Sequence, residues 1–321
     1  MAVPNLSEAV TTTLRNRAKK VRDAISIQAA LFHRMKENGM IRPVSGGRSI
    51  VTEIDYREND SFLRYSGAEF LNIQPQDHLS AAEYGIKQAA MALTITGLEQ
   101  LQNDGKERII DLLGSRMRNL EKSFLNNLVR DLYSDGTASG GRQIGGLKLL
   151  VSDTGTGVVG GIDSSVWSFW KNQFTSFAGL SLTPGPTTIQ TAMNNLYVKL
   201  IRNRDKPDLI VADNTYWLYY LSSLQAIQRI TNTKLAEAGF ENLKFMSADV
   251  VLDGGLNGAA PASHMYFLNT NTIEWRPFRD RNMEVLGGDR EPVNQDAIVR
   301  IMAFAGNATV NNRMLNGVLT A

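Results

Sequence analysis

The chain has no cysteine, only three histidines and no long apolar run, and each shortage removes a class of function. Without cysteine there is no disulfide and no thiolate metal site, which fits a reducing compartment. His33, His78 and His264 lie far apart and lack H-x-x-x-H or H-E-x-x-H spacing. A zinc site would have to gather imidazoles and carboxylates from distant places. No apolar stretch approaches the roughly 18 residues of a membrane span. The start, MAVPNLSEAV, lacks the charged and apolar regions of a signal peptide. A net charge of +2 over 321 residues argues against a uniformly basic nucleic-acid binder.

Catalytic motifs are equally scarce. There is no G-x-x-x-x-G-K-[ST] phosphate loop and no G-x-S-x-G elbow. One match survives: Gly155-Thr156-Gly157-Val158-Val159-Gly160 fits G-x-G-x-x-G. A dinucleotide fold needs a helix to start there and an acid about 20 residues later for the ribose. No Asp or Glu occurs between Asp163 and Asp205, and the continuation GIDSSVW is a poor helix start. Residues 134–163 hold nine glycines, so a chance match costs little. A triad assembled from distant residues leaves no local trace, and nothing points to one. No catalytic, cofactor-binding or metal-ligating residue is assigned, and the chain is expected not to be an enzyme.

What is present is organisation. Leu6, Val10, Leu14, Ala18, Val21, Ile25, Phe32 and Met35 recur at helical spacing. Residues 1–48 carry nine Lys or Arg against three acids, a net of +6. Asn38-Gly39 ends the periodic pattern, so residues 1–47 read as an N-terminal arm. Its basic face is either solvated on its own subunit or set against a neighbour or nucleic acid.

From Ser49 to Arg57 the residues alternate: Ile50, Thr52, Ile54 and Tyr56 on one side, Val51, Glu53, Asp55 and Arg57 on the other. A second extended stretch runs from Ala82 to Thr96. Together they suggest a long hairpin with a broad tip at 58–80. Such a hairpin is marginal alone in water. It must fold back on its own domain or be covered by another chain.

Asp104 suits the cap of a helix from about Lys106 to Tyr133, with Ile109, Leu113, Met117, Leu120, Phe124, Leu128 and Leu132 on its apolar face. About 28 residues make a rod of about 42 Å. Asp135-Gly136 stops it. A glycine-rich segment follows, then aromatics at Trp167, Phe169, Trp170, Phe174 and Phe177, then a break at Pro184-Gly185-Pro186. Beyond it the pattern is α/β. Helices are expected at 189–200 and after a cap at Asn214 or Thr215, and strands at 208–212 and 245–252. Residues 265–268 and 272–278 read as a hairpin. Strands 297–305 and 309–319 read as a closing pair turning at Gly306-Asn307. The segment Glu274–Arg290 holds four Arg and four acids around Trp275 and Phe278. Zero net charge there suits reciprocal ion pairs between copies better than phosphate binding.

Several long stretches carry a resemblance: AEYGIKQAAMALTITGLEQLQNDGKERIIDLL (82–113), LYSDGTASGGRQIGGL (132–147), RPFRDRNMEVLGGDREPVNQDA (276–297) and MAFAGNATVNNRMLNGVL (302–319). With the order of elements, they make the chain similar to tailed-bacteriophage major capsid proteins of the HK97-like fold, over nearly its whole length. The resemblance implies an α+β fold with an N-terminal arm (1–47) and an extended β-hairpin loop (48–97). It also implies a peripheral domain (98–183 and 297–321, with a spine helix at 104–134) and an axial domain (184–296).

It further implies a structural protein that self-assembles into hexamers and pentamers of an icosahedral head enclosing double-stranded DNA. The implied partners are a separate scaffolding protein, a portal protein, a decoration protein in some heads, and DNA bound without sequence preference, with no membrane. The implied location is the virion, after assembly in the bacterial host cytoplasm. The residues expected at intersubunit contacts are Arg48, Arg57, Arg64, Tyr65, Arg276, Arg279, Asp280 and Arg281. Two alternatives stay open: an encapsulin-like compartment shell, and a soluble α/β enzyme using the Gly155–Gly160 loop.

Overall fold

The computed structural model describes residues 30–70, 72–102, 112–224, 242–253, 258–287 and 294–321. The elements, in chain order, are α1 (Ala30–Glu37), β1 (Ser49–Asp55), β2 (Leu79–Gly85), β3 (Lys87–Thr96), α2 (Gly97–Gln102), α3 (Leu112–Asp131), α4 (Leu147–Leu150), β4 (Val158–Val159), β5 (Ile162–Asp163), β6 (Gln173–Ser176), α5 (Ile189–Leu200), β7 (Leu209–Ala212), α6 (Asn214–Ser223), β8 (Asn242–Phe245), β9 (Ala248–Leu252), β10 (His264–Leu268), β11 (Ile273–Val285), β12 (Ala297–Val310) and β13 (Gly317–Thr320).

A six-stranded mixed sheet, in the order β6-β13-β10-β7-β9-β8, divides the apolar interior in two. Side chains alternate across a strand, so a strand buried on both faces is apolar throughout. β7 meets that condition, with all four residues buried. Leu209 and Val211 join one core, while Ile210 and Ala212 join the other. The same alternation sends Tyr266 and Leu268 of β10 one way and Met265 and Phe267 the other. Helices α5 and α6 cover the second face through Met193, Leu196, Tyr216 and Tyr220. Asp213 caps α6, its carboxylate accepting from the Tyr216 N–H at 2.9 Å.

The first face packs against α1, α3, the β1–β2 hairpin and a three-stranded sheet ordered β11-β12-β3. Leu120, Phe124 and Leu128 recur every fourth residue along α3, and Leu132 continues the row just past its end; all four are buried. That is the expected apolar stripe. The expected start of this helix, residues 103–111, lies outside the described residues. Beyond its end, Gly146 meets the chain so closely that an added Cβ would stand 2.3 Å from the Asp131 carbonyl oxygen. Arg116 on α3 donates to both carboxylate oxygens of Glu99 on α2, at 2.7 and 3.0 Å. This bidentate pair holds the Glu99 carboxyl down at about 2.

Of the N-terminal arm, only residues from 30 onward are described. Leu31 and Met35 of α1 are buried. Arg34 donates to Asp208 at 3.4 Å and to Asp249 at 3.2 Å, pinning α1 across two strands of the large sheet. This part of the arm packs on its own chain. The basic cluster Arg15–Arg22 lies outside the described residues.

Four expected pairings are corrected. The stretch 82–96 is not one hairpin strand: β2 pairs with β1, and after Ile86 the chain leaves to pair β3 with β12. The expected strand 245–252 is shorter: β9 begins at Ala248 and pairs antiparallel with β8, which ends at Phe245, across a turn at Met246, whose φ is +52°. β10 and β11 are not a hairpin; β10 pairs with β7 and β13, and β11 with β12. β12 runs straight through Gly306-Asn307 to Val310, and β13 lies in the other sheet. In each case alternation was legible but the partner was not, because pairing is settled by burial of both faces.

Candidate interaction surface

The β1–β2 hairpin is antiparallel, registered from Ser49 opposite Gly85 to Asp55 opposite Leu79. One face of it is buried on its own chain through Ile50, Ile54, Ala82 and Tyr84. The Tyr84 hydroxyl donates to the Val310 carbonyl at 2.9 Å. Gly160 explains much of the glycine motif. Together with Gly161 it turns the β4–β5 hairpin at positive φ, +60° and +77°. A Cβ on Gly160 would stand 2.7 Å from the Ala82 Cβ. The glycine therefore lets β2 lie against this turn. No helix begins at Gly160, so the Gly155–Gly160 segment lacks the geometry of a phosphate-binding loop.

Past Asp55 and Leu79 the arm changes character. Tyr56 still bonds across, its N–H donating to the His78 carbonyl at 3.0 Å. Beyond that the tip is organised by side chains. Arg57 pairs with Asp60, Asn59 and Asn72 accept from backbone two residues on, and Arg64 lies 5.5 Å over the Phe62 ring. Phe62, Phe70 and Ile73 are 78%, 98% and 87% exposed, and Tyr65 is exposed too. Burying a side chain of this size contributes about 1.5–3 kcal/mol. Several of them on one loop make it a candidate interaction site.

Two clefts flank the base of this tip. One, of about 860 Å³, is lined by Glu53, Asp55, Glu58, Arg202, Asn312 and Met314 among others. The second, of about 450 Å³, is lined by Leu79, Ile162, Val166 and Trp167. Both include Tyr56 and Phe169, whose rings lie 5.2 Å apart. They form the ridge between the clefts.

The expected contact residues fall in two places. Arg48, Arg57, Arg64 and Tyr65 are exposed along the arm. Arg276, Arg279, Asp280 and Arg281 lie on β11. There the register jumps from Pro277 opposite Gly306 to Asn282 opposite Phe304, so Arg279, Asp280 and Arg281 stand out on a bulge. Arg276 pairs at 3.3 Å with Glu274, which also takes Arg42 at 3.0 Å. Glu274 is buried, so these pairs are internal to the chain. Residues 288–293 lie outside the described residues.

No local pattern signals the polar junction where α3 ends against the large sheet. The Tyr133 hydroxyl donates to Asp253, 120 residues away. Burial pushes the Asp253 carboxyl up to about 6, against the pull of that hydrogen bond. Next to it, His264 bonds Asp153 at 3.2 Å and stacks on Tyr266. Asp153 raises the His264 pKa. The signs agree. A folded-state carboxyl raised to about 6 binds its proton more tightly than the unfolded chain does. Its contribution therefore grows as pH falls from about 6 to about 4. The charged His264–Asp153 pair contributes below the ordinary histidine value and is lost as pH rises through the raised one. Asp253→Asn keeps an acceptor for Tyr133 and removes the buried charge. Relative to the parent, it is expected to gain about 1–3 kcal/mol at pH 8 and to flatten the rise in melting temperature between pH 6 and 4. An unchanged profile across that window would place the raised carboxyl elsewhere.

Among the described residues, no cluster of three or more His, Asp or Glu is arranged to hold a metal ion, and no helix is long and apolar enough to cross a membrane.

No protein-family model and no curated protein matches the sequence. Solved structures do match. The chain superposes on the cyanophage A-1(L) capsid protein with a TM-score of 0.69 and 15% identity, covering 97% of each chain. It superposes on the capsid of the native GTA particle with a TM-score of 0.61 and 13% identity, over 98% of this chain and 99% of that one. The SrpI encapsulin of Synechococcus elongatus PCC 7942 follows with a TM-score of 0.54 and 10% identity, over 98% and 96%. The chain therefore has the α+β HK97-like fold along nearly its whole length.

Proposed function

We infer that this chain is a structural, non-enzymatic shell protein, the major capsid protein of a tailed-phage head. Copies of it assemble as hexamers and pentamers into an icosahedral shell around double-stranded DNA. The observation that carries this reading is the end-to-end match, 97% of both chains, with a phage capsid protein. The exposed apolar tip supports it, since a loop carrying a Phe that is 98% exposed calls for a covering partner.

In this reading, residues 48–97 are the extended loop. Residues 98–183 and 297–321 make the peripheral domain, and residues 184–296 the axial domain. The sheet pairings favour moving β6 and β13 to the axial side. Arg48, Arg57, Arg64 and Tyr65 would meet neighbours along the loop, and the bulge at Arg279, Asp280 and Arg281 would meet them elsewhere. A scaffolding protein, a portal and, in some heads, a decoration protein would be its partners. The protein would end in the virion after assembly in the host cytoplasm. The encapsulin likeness supports a second reading, a compartment shell that holds protein cargo.

Electron microscopy of the purified protein, expressed alone and with the scaffold from its own genome, tests the reading. Closed shells tens of nanometres wide are expected. A 35.4 kDa monomer under every condition would overturn it. Nuclease-resistant DNA inside native particles separates the phage head from a compartment filled with protein.

A further inference from the structure

We propose that the paired clefts beside Tyr56 and Phe169 are the seat for the arm tip of a second copy of this chain. The inference rests on the shell reading and adds the receiving site to it. In a shell every copy is flanked by identical copies, so the partner nearest each tip is another copy of this chain. The chemistry of tip and seat matches in two parts. Phe70 and Ile73 are almost wholly exposed, and the smaller cleft offers Leu79, Val166 and Trp167, which are themselves exposed. The larger cleft carries Glu53, Asp55 and Glu58 on the arm strand and its continuation. Its arginines already have partners, Arg57 with Asp60 and Arg202 with Asp205. It is therefore set to receive a cation. Arg64 is the only basic residue between Ser61 and Gln76. The tip's own Phe70 does not fill the cleft at its base, although six residues of extended chain span up to about 20 Å. The neighbour's Phe70 and Ile73 would fill the apolar cleft, with its Arg64 across the ridge facing the carboxylates.

The absence of native cysteine makes the test direct. One preparation carries Phe70→Cys and another Val166→Cys; both positions are exposed, so folding is little disturbed. The two are co-assembled and oxidised mildly or treated with a short bismaleimide. A covalent dimer containing one of each is expected, at least about tenfold above the yield with Leu218→Cys on the exposed side of α6 as the partner. Ile73→Cys in place of Phe70→Cys is expected to give the same linkage. Shells that form normally but link the tip to Leu218→Cys as readily as to Val166→Cys would overturn the seat and leave the shell reading intact. Failure of the unsubstituted chain to form any shell would overturn both.

Discussion

A chain in which residues 58–76 are replaced by Asn-Gly melts within a few degrees of the parent and forms no closed shells. The strands of the arm end at Asp55 and Leu79, and the Tyr56 N–H to His78 carbonyl bond continues the ladder one step. Arg57 and Asp77 then stand where a two-residue turn closes a hairpin, and Asn-Gly is the favoured sequence for that turn. Nothing described between 58 and 76 is buried. The deletion removes no core contact and withdraws exposed apolar surface from water. The hairpin stays seated through Ile50, Ile54, Ala82 and Tyr84. What is lost is the anchor offered to the next copy. Assembly should fail completely, because a shell multiplies one weakened contact by every copy in it. Calorimetry and electron microscopy of the same sample decide the matter. Normal shells would deny the tip its gripping role, and a lost melting transition would make it part of the fold.

Arg313→Ala is expected to cost about 3–5 kcal/mol of folding stability. Arg313 is fully buried. Its Nε donates to the Leu150 carbonyl at 2.8 Å, Nη1 to the Trp170 carbonyl at 3.1 Å and Nη2 to Asn172 Oδ1 at 2.9 Å. Burial lowers its pKa to about 10, so it remains charged at neutral pH. Neutral acceptors surround it, and the guanidinium fork spans three points that no single ammonium could. Truncation leaves the Leu150 and Trp170 carbonyls without this donor, while Asn172 Oδ1 keeps only Ser152, and it opens a cavity between the 150–173 segment and the turn before β13. Arg313→Lys should fall between parent and alanine. Urea denaturation of the unassembled chain measures both. A loss under 1 kcal/mol for the alanine variant would mean that water or a neighbour replaces the fork.

The sequence was legible where a signal is local. The stripe Leu120, Phe124, Leu128 follows from helical period, and the apolar run at β7 from burial on both faces. The α5 and α6 helices were readable for the same reason, but the cap of α6 is Asp213, not the expected Asn214 or Thr215, because the Asp213 carboxylate reaches the Tyr216 N–H. The glycine match was read as a chance one, and its structural use was hidden. Gly160 matters because Ala82 lies against it, and that neighbour is 78 positions away. The contact residues named from sequence came from charge and from the segments that the resemblance implies. Sequence did not show that Glu274 already holds Arg42 and Arg276 internally, nor that Arg313 would be a buried hub.

By itself the sequence determined the alternation of the arm's first strand and the amphipathic rod, which follow from periodicities that act over a few residues. The fold was read from long stretches that resemble capsid proteins. Only the tertiary structure decided which strands pair, that the arm's strands rest on their own chain while its tip projects, and where the clefts lie. The physical reason is common to all three. Strand partners, buried polar groups and cleft walls are chosen by apolar surfaces and charges distant along the chain, and no local pattern records which of them meet.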